Sequence, residues 1–296
     1  MKKLAIIALA LILCIQLTAC GETPDESPTP EEEFAFQFGM IYPDPEQGTF
    51  TYNGEDIRVG LFLKNGLEPK EIGIQLFVDG ERVDFNCQGT KYDFYIAKLK
   101  PNEETTIEFV FAPTHGAVGE THLVYFTGIF NPNVESDPEK FVEVGNDVHL
   151  MQFQPWKLTF ERNAPYSDIN ANALTVMSES ATGEESSLAF LLNADGLEDK
   201  RVNVSGDTLD IVLSAVNSKE VCKYRVSIYL DNDIIMLADG NLYADIDILP
   251  NYETQLAIPV DTSKLTGVHT LYAIAASLDG DQALIQTDVL ALVAAR

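Results

Sequence analysis

An all-β chain built as two tandem sandwiches is what this sequence predicts, and three observations predict it. Short runs alternate with period two: Ile72, Ile74, Leu76 and Val78 against Gly73, Gln75 and Phe77, and Val226, Ile228 and Leu230 against Arg225, Ser227 and Tyr229. That period places one set of side chains on each face of a strand, one face expected inward and one outward. Turn dipeptides separate the runs, among them Asn53-Gly54, Asn65-Gly66, Asp79-Gly80 and Asp279-Gly280. The third observation is an internal repeat. No stretch carries a 3.6-residue period of helical length, and many short strands at this spacing build sandwiches or barrels.

The repeat orders the whole chain. Gly54 to Leu61 matches Gly206 to Leu213, and Ile74 to Asp79 matches Val226 to Asp231, both at an offset of 152 residues. Pro101 to Thr105 matches Pro250 to Thr254 at 149, and His122 to Tyr125 matches His269 to Tyr272 at 147. Ala35-Phe36 pairs with Ala189-Phe190. The matches keep their order while the offset drifts, as differing loop lengths produce. Two copies make no solenoid, and each is long enough to fold alone. The alternation in Thr106 to Phe111 and in Leu209 to Leu213 adds strands to both copies.

Two motifs recur inside the copies. Leu99-Lys100-Pro101-Asn102-Glu103-Glu104-Thr105 and Leu249-Pro250-Asn251-Tyr252-Glu253-Thr254 each lead into a strand, and Gly119 to Tyr125 and Gly267 to Tyr272 each open a later one. In this order they resemble bacterial immunoglobulin-like modules of the CARDB or fibronectin-III-like sort. The resemblance implies two tandem immunoglobulin-like β-sandwich domains and a role in adhesion, spacing or ligand display. The chain departs from antibody-type domains in lacking an inter-sheet cysteine pair and a core Trp at the expected place.

Met1-Lys2-Lys3, an apolar run from Leu4 to Leu13, and Leu17-Thr18-Ala19-Cys20 form a basic start, a short apolar region and a cut site. The run is shorter than the about 20 residues that a membrane span needs. The last four residues resemble the lipobox of bacterial lipoproteins, which implies a diacylglycerol on the Cys20 thiol and cleavage before it. An extracytoplasmic chain, lipid-anchored to the outer face of a membrane, is therefore expected. Gly21 in place of Asp implies the outer membrane if the cell is Gram-negative. The expected organisation is a signal peptide at 1–19, the lipidated Cys and an acidic Pro-rich linker at 20–33, sandwich one at 34–161, a connection at 162–185 and sandwich two at 186–296. Residues 21–33 hold no large apolar side chain, so they are expected as a disordered spacer, reaching about 40 Å at full stretch.

Charge narrows the partners. The formal net charge is −27, and removing residues 1–19, with Lys2 and Lys3 and no acid, makes it −29. Such a field repels nucleic acid and anionic lipid heads, leaving the lipid on Cys20 to do the anchoring. An envelope protein or a glycan remains as partner.

Chemistry is sparse. No Gly-x-Ser-x-Gly elbow, Walker loop or His-Glu-x-x-His occurs. Cys87 and Cys222 occupy different repeat positions and are expected as independent thiols. His122 and His269 share a repeat position, where bonding to a neighbouring backbone carbonyl is expected; His115 and His122 have no zinc spacing. Calcium wants six to eight oxygens from a turn-rich loop, and the candidates are Asp231, Asp233, Asp279 and Asp281, with Asp245 and Asp247 on one strand face. Tyr42, Trp156 and Tyr166 are the aromatics that a sugar platform would use, with Trp156 expected to pack at the domain junction. Copy one replaces the short hairpin Leu278 to Gln282 by a long acidic loop, Asn131 to Asp147, a place for recognition. No catalytic residue and no cofactor are expected. The sequence points to a non-catalytic binding or scaffold protein. The alternatives are an accessory subunit of a cell-envelope complex and a carbohydrate-binding or carbohydrate-active module.

Overall fold

The alternating runs become strands in a computed structural model, which describes residues 36–42, 48–130, 132, 150–152, 155–166, 172–173, 176–178, 188–216, 220–237, 240–250, 252–279 and 284–294. The first half holds β1 (Gln37–Tyr42), β2 (Thr49–Tyr52), β3 (Ile57–Lys64), β4 (Lys70–Val78), β5 (Glu81–Arg82), β6 (Phe85–Cys87), β7 (Thr90–Tyr92), β8 (Tyr95–Leu99), β9 (Glu104–Phe111), β10 (Thr121–Phe130), β11 (Leu150–Gln152) and β12 (Trp156–Phe160). The second holds β13 (Asn172–Ala173), β14 (Val176–Ser178), β15 (Ala189–Ala194), β16 (Arg201–Val204), β17 (Thr208–Val216), β18 (Cys222–Leu230), β19 (Asp233–Ile234), β20 (Ala244–Ile248), β21 (Glu253–Asp261), β22 (Gly267–Ser277), β23 (Ile285–Gln286) and β24 (Leu290–Ala294). The chain is all-β, and the described residues contain no helix.

The repeat seen in sequence is a repeat of pairing order. In the first half β1-β3-β9-β6-β7 form an outer sheet, and β2-β12-β10-β4 with β5, β8 and β11 form an inner one. In the second half β14-β21-β17-β15 form the outer sheet, and β13-β20-β18-β22-β24-β16 with β19 and β23 the inner one. Thus β1-β3-β9 corresponds to β15-β17-β21, and β2-β12-β10-β4-β8 to β16-β24-β22-β18-β20. Within each copy β12 pairs parallel with β2, and β24 parallel with β16. The expected connection 162–185 contributes its two short strands, β13 to the second inner sheet and β14 to the second outer sheet.

Each pair of sheets encloses its own core. Val59, Leu61, Leu76, Phe109, Val124 and Phe126 belong to the first, Ile211, Leu213, Val226, Ile228, Leu271 and Ala273 to the second. On the central inner strands β4, β10, β18 and β22 most of the outward set does not meet water. Phe77, Leu123, Tyr125 and Ile129 of β4 and β10 pack with Tyr229, Tyr272, Ile274 and Ala276 of β18 and β22 in a third core. The expected one-face-in, one-face-out arrangement is therefore replaced on these four strands by burial of both faces. Phe34–Arg296 accordingly forms one compact unit of four stacked sheets.

Polar groups complete the third core. Arg82 Nη1 donates to the Asn232 carbonyl (2.7 Å), and Arg225 Nη1 to the Asp79 carbonyl (3.1 Å). The Tyr243 hydroxyl accepts from the Arg82 backbone (3.0 Å), and the Tyr125 hydroxyl donates to the Ser277 carbonyl (3.3 Å). Gly80, at φ +76°, carries the β4–β5 turn so close that a Cβ there would lie 2.8 Å from that of Ala276. Any side chain would push the halves apart. Burial raises the phenols of Tyr229 and Tyr272 and takes that of Tyr243 to about 12, so all three stay neutral hydrogen-bonding groups.

Candidate functional site

The β5–β6 segment crosses the end of β9 and leaves a cleft of about 370 Å³ lined by Asp56, Glu81, Arg82, Asp84, Lys91 and Thr114 over Val83, Phe85 and Phe111. Its cations are already engaged. Lys91 Nζ lies 2.5 Å from Asp84, and Arg82 pairs with Asp93. The Asp84 carboxylate raises the Lys91 ammonium by hydrogen bond and charge. Among the described residues Asp56 and Glu81 make no ion pair with a Lys or Arg, and Glu81 is held by Thr114 and His115 instead.

Glu81 Oε2 accepts from the Thr114 hydroxyl (2.9 Å) and faces His115 Nδ1 (2.6 Å). The exposed Tyr166 ring lies against His115 with centroids 5.5 Å apart. A hydroxyl, an imidazole and a carboxylate thus meet, but not as a nucleophile and its base. Both oxygens approach the same ring nitrogen, Nδ1 (Thr114 Oγ1 at 3.1 Å), whereas base catalysis needs hydroxyl and acid on opposite nitrogens. The cluster orders the irregular segment that leaves β9, where His115 bridges to Tyr166.

The other histidines reveal a duplicated device. Asp79 and Asp231, at equivalent repeat positions, both sit at positive φ, 46° and 50°. Asp79 Oδ1 accepts the Leu123 N–H (2.6 Å) while Oδ2 lies 2.5 Å from His122 Nδ1. Asp231 Oδ1 accepts the Thr270 N–H (2.9 Å) while Oδ2 lies 2.5 Å from His269 Nδ1. The expected carbonyl contact occurs only at His269, whose Nε2 lies 3.3 Å from the Thr266 oxygen; the main partner in each copy is a carboxylate from the turn after β4 or β18. The signal was present in the sequence, since Asp and His recur together in both copies.

His122 also faces Glu120 (3.1 Å) and packs on Phe160. Burial alone would lower its imidazole, but the hydrogen bonds and charges of Asp79 and then Glu120 outweigh this and raise it above 6.5. A raised histidine contributes stability that is fully present below its unfolded value and is lost as pH rises through the folded one. His122→Gln should therefore destabilise by about 1–2 kcal/mol near pH 5.5, and by less near pH 8.5. Thermal melts of both proteins at the two pH values check this; an equal loss at both would refute a charged clamp.

The calcium candidates are dispersed. Asp231 is committed to His269 and Thr270, Asp233 is exposed on β19, and Asp279 Oδ2 accepts the Lys223 N–H (2.7 Å). Asp245 takes Arg225 through two contacts (2.7 and 2.8 Å), and Asp247 lies 3.8 Å from Lys223 Nζ. Among the described residues no three His, Cys, Asp or Glu gather as a metal would require. Asp281, His149 and Cys20 lie outside the described residues, as does the Asn131–Asp147 loop apart from Pro132, whose carbonyl accepts from Asn232 Nδ2 (2.8 Å). Cys87 and Cys222 are both buried, and burial raises the Cys87 thiol. Trp156 does not sit at the junction. It is 7 % exposed inside the first core, 5.1 Å from Phe50, because β12 completes that sheet. Nothing is described of the Tyr42 side chain, so Tyr166 is the one sugar-platform candidate seen at the surface.

No family model matches the sequence, and no curated protein matches it. Among solved structures the fold is similar to red sea bream transglutaminase (TM-score 0.26, 13% identity, 88% of this chain and 31% of that one). It is similar also to the E. coli chaperone DraB (0.26, 9% identity, 86% and 95%) and to CBD12 from CALX1.2 (0.20, 9% identity, 83% and 83%). The chain spans about a third of the transglutaminase.

Proposed function

We propose that this chain is an extracytoplasmic lipoprotein, held by lipid on Cys20, that acts as a rigid non-catalytic binding scaffold. One observation carries the scaffold reading: the third core locks the two sandwiches face to face, so the loops and the Asp56–Glu81 cleft are presented on a stiff body. The carboxylates and histidines described above hold turns and strand starts, which is structural work. The lipobox resemblance supports the location. Two fatty chains suffice for stable anchoring, and the acidic polypeptide adds no attraction to anionic lipid. An accessory subunit of an envelope complex is the same scaffold with a protein partner. The carbohydrate reading loses Trp156 to the core.

Crosslinking on intact cells, followed by purification and mass spectrometry, tests the scaffold. A stoichiometric protein partner, lost on Asp56→Asn with Glu81→Gln, supports recognition through the cleft. A partner retained in that variant would place recognition elsewhere. Cys20→Ala should leave an unprocessed precursor or release the protein into the medium. Normal processing with membrane retention would overturn the anchor.

A further inference from the structure

The two halves meet through the same face. Phe77 pairs with Tyr125 across β4 and β10, and Tyr229 pairs with Tyr272 across β18 and β22. These are equivalent pairs in the repeat, and all four rings lie in the third core, each less than 1 % exposed. Equivalent turns reach across it: the turn at Asp79 accepts Arg225, and the turn at Asn232 accepts Arg82. A surface that packs against its own equivalent defines an isologous interface, the kind that builds symmetric dimers. Tandem sandwiches joined only by their connection have no need of one. The arginines reach from non-equivalent positions, as expected of copies that diverged while keeping the face.

We infer that the junction is a dimer-type interface in its own right, and that its second possible occupant is another copy of this chain, joined by trading halves. The contact does not depend on the connection for its chemistry: aromatic faces meet, and the charges within it are matched, Arg82 with Asp93 and Arg225 with Asp245. This bears on self-association, because the net charge of −27 opposes contact between ordinary outer surfaces. Exchange of halves creates no new charged contact. In the closed two-chain form each first half covers the second half of its neighbour, and both junctions are filled. At ordinary concentration the connection favours closure within one chain, so the exchanged form should appear when chains fold crowded together.

A protease site inserted at 167–171, between the last described residue of the first half and β13, tests this in the whole chain. After cutting, native mass spectrometry should find a particle of unchanged mass; separated halves would overturn the inference. Light and isotopically heavy cut preparations are then mixed, unfolded and refolded together. About half of the reassembled particles should carry one light and one heavy half. The uncut chain in the same cycle reports whether the sandwiches refold. If it refolds and no hybrid particles form, the junction is not self-sufficient and the inference fails. Phe77→Asp in the cut chain should separate the halves even where each stays folded by circular dichroism.

Discussion

Phe77→Ala should cost about 3–5 kcal/mol and split a single unfolding transition into two. Phe77 is fully buried and faces the second half, while its neighbours Leu76 and Val78 face the first core. Truncation therefore leaves a void between the halves and spares both sandwich interiors. The stacked Tyr229–Tyr272 pair, with centroids 5.1 Å apart, loses packing area on that side. Coupled halves unfold together; weakly coupled halves unfold at their own midpoints. Trp156 is the one Trp and lies in the first core, so its fluorescence follows the first half alone while circular dichroism follows both. In wild type the two signals should coincide in denaturant. In the variant they should separate. Coincident curves at an unchanged midpoint would show that the third core does not couple the halves.

Arg225→Met should destabilise by about 3 kcal/mol, and Arg225→Met with Asp245→Leu by clearly less. The Arg225 side chain is 10% exposed and binds Asp245 through Nε and Nη2, while Nη1 caps the Asp79 carbonyl. Removing the cation alone strands a half-buried carboxylate and an unmet carbonyl, and such groups cost more than their pairing contributes. Removing both charges relieves the first of these. A double-mutant cycle by urea unfolding measures the coupling. Additive losses would mean that Arg225 acts through packing of its stem.

Strand positions and the repeat were legible because they follow from local rules: alternation, turn residues and motif order. The junction was harder to see, since its signal is two-sided burial. That signal did exist. Leu271-Tyr272-Ala273-Ile274-Ala275-Ala276 and Leu123-Val124-Tyr125-Phe126 are unbroken apolar runs, the pattern of strands covered on both faces. In β4 the Gly73, Gln75 and Phe77 set mixes small, polar and aromatic side chains, which reads equally as a solvent face. The Asp79–His122 and Asp231–His269 clamps join residues about 40 apart, and only strand pairing brings them together. The cleft depends on how β5 and β6 leave the β4 hairpin, which no local pattern encodes.

The parallel pairing of β12 with β2, and of β24 with β16, sets the order of assembly. In each copy the strand that fills the space beside β2 or β16 is the last strand of that copy in the sequence. More than a hundred residues of sequence separate Thr49 from Lys157, its partner in the ladder. Closing so long a loop is slow compared with forming a hairpin. Each half therefore waits, with its inner sheet a strand short, until its final segment docks. For the second half that segment is Leu290–Ala294, so shortening the chain by a handful of residues there should arrest folding far out of proportion to the length removed.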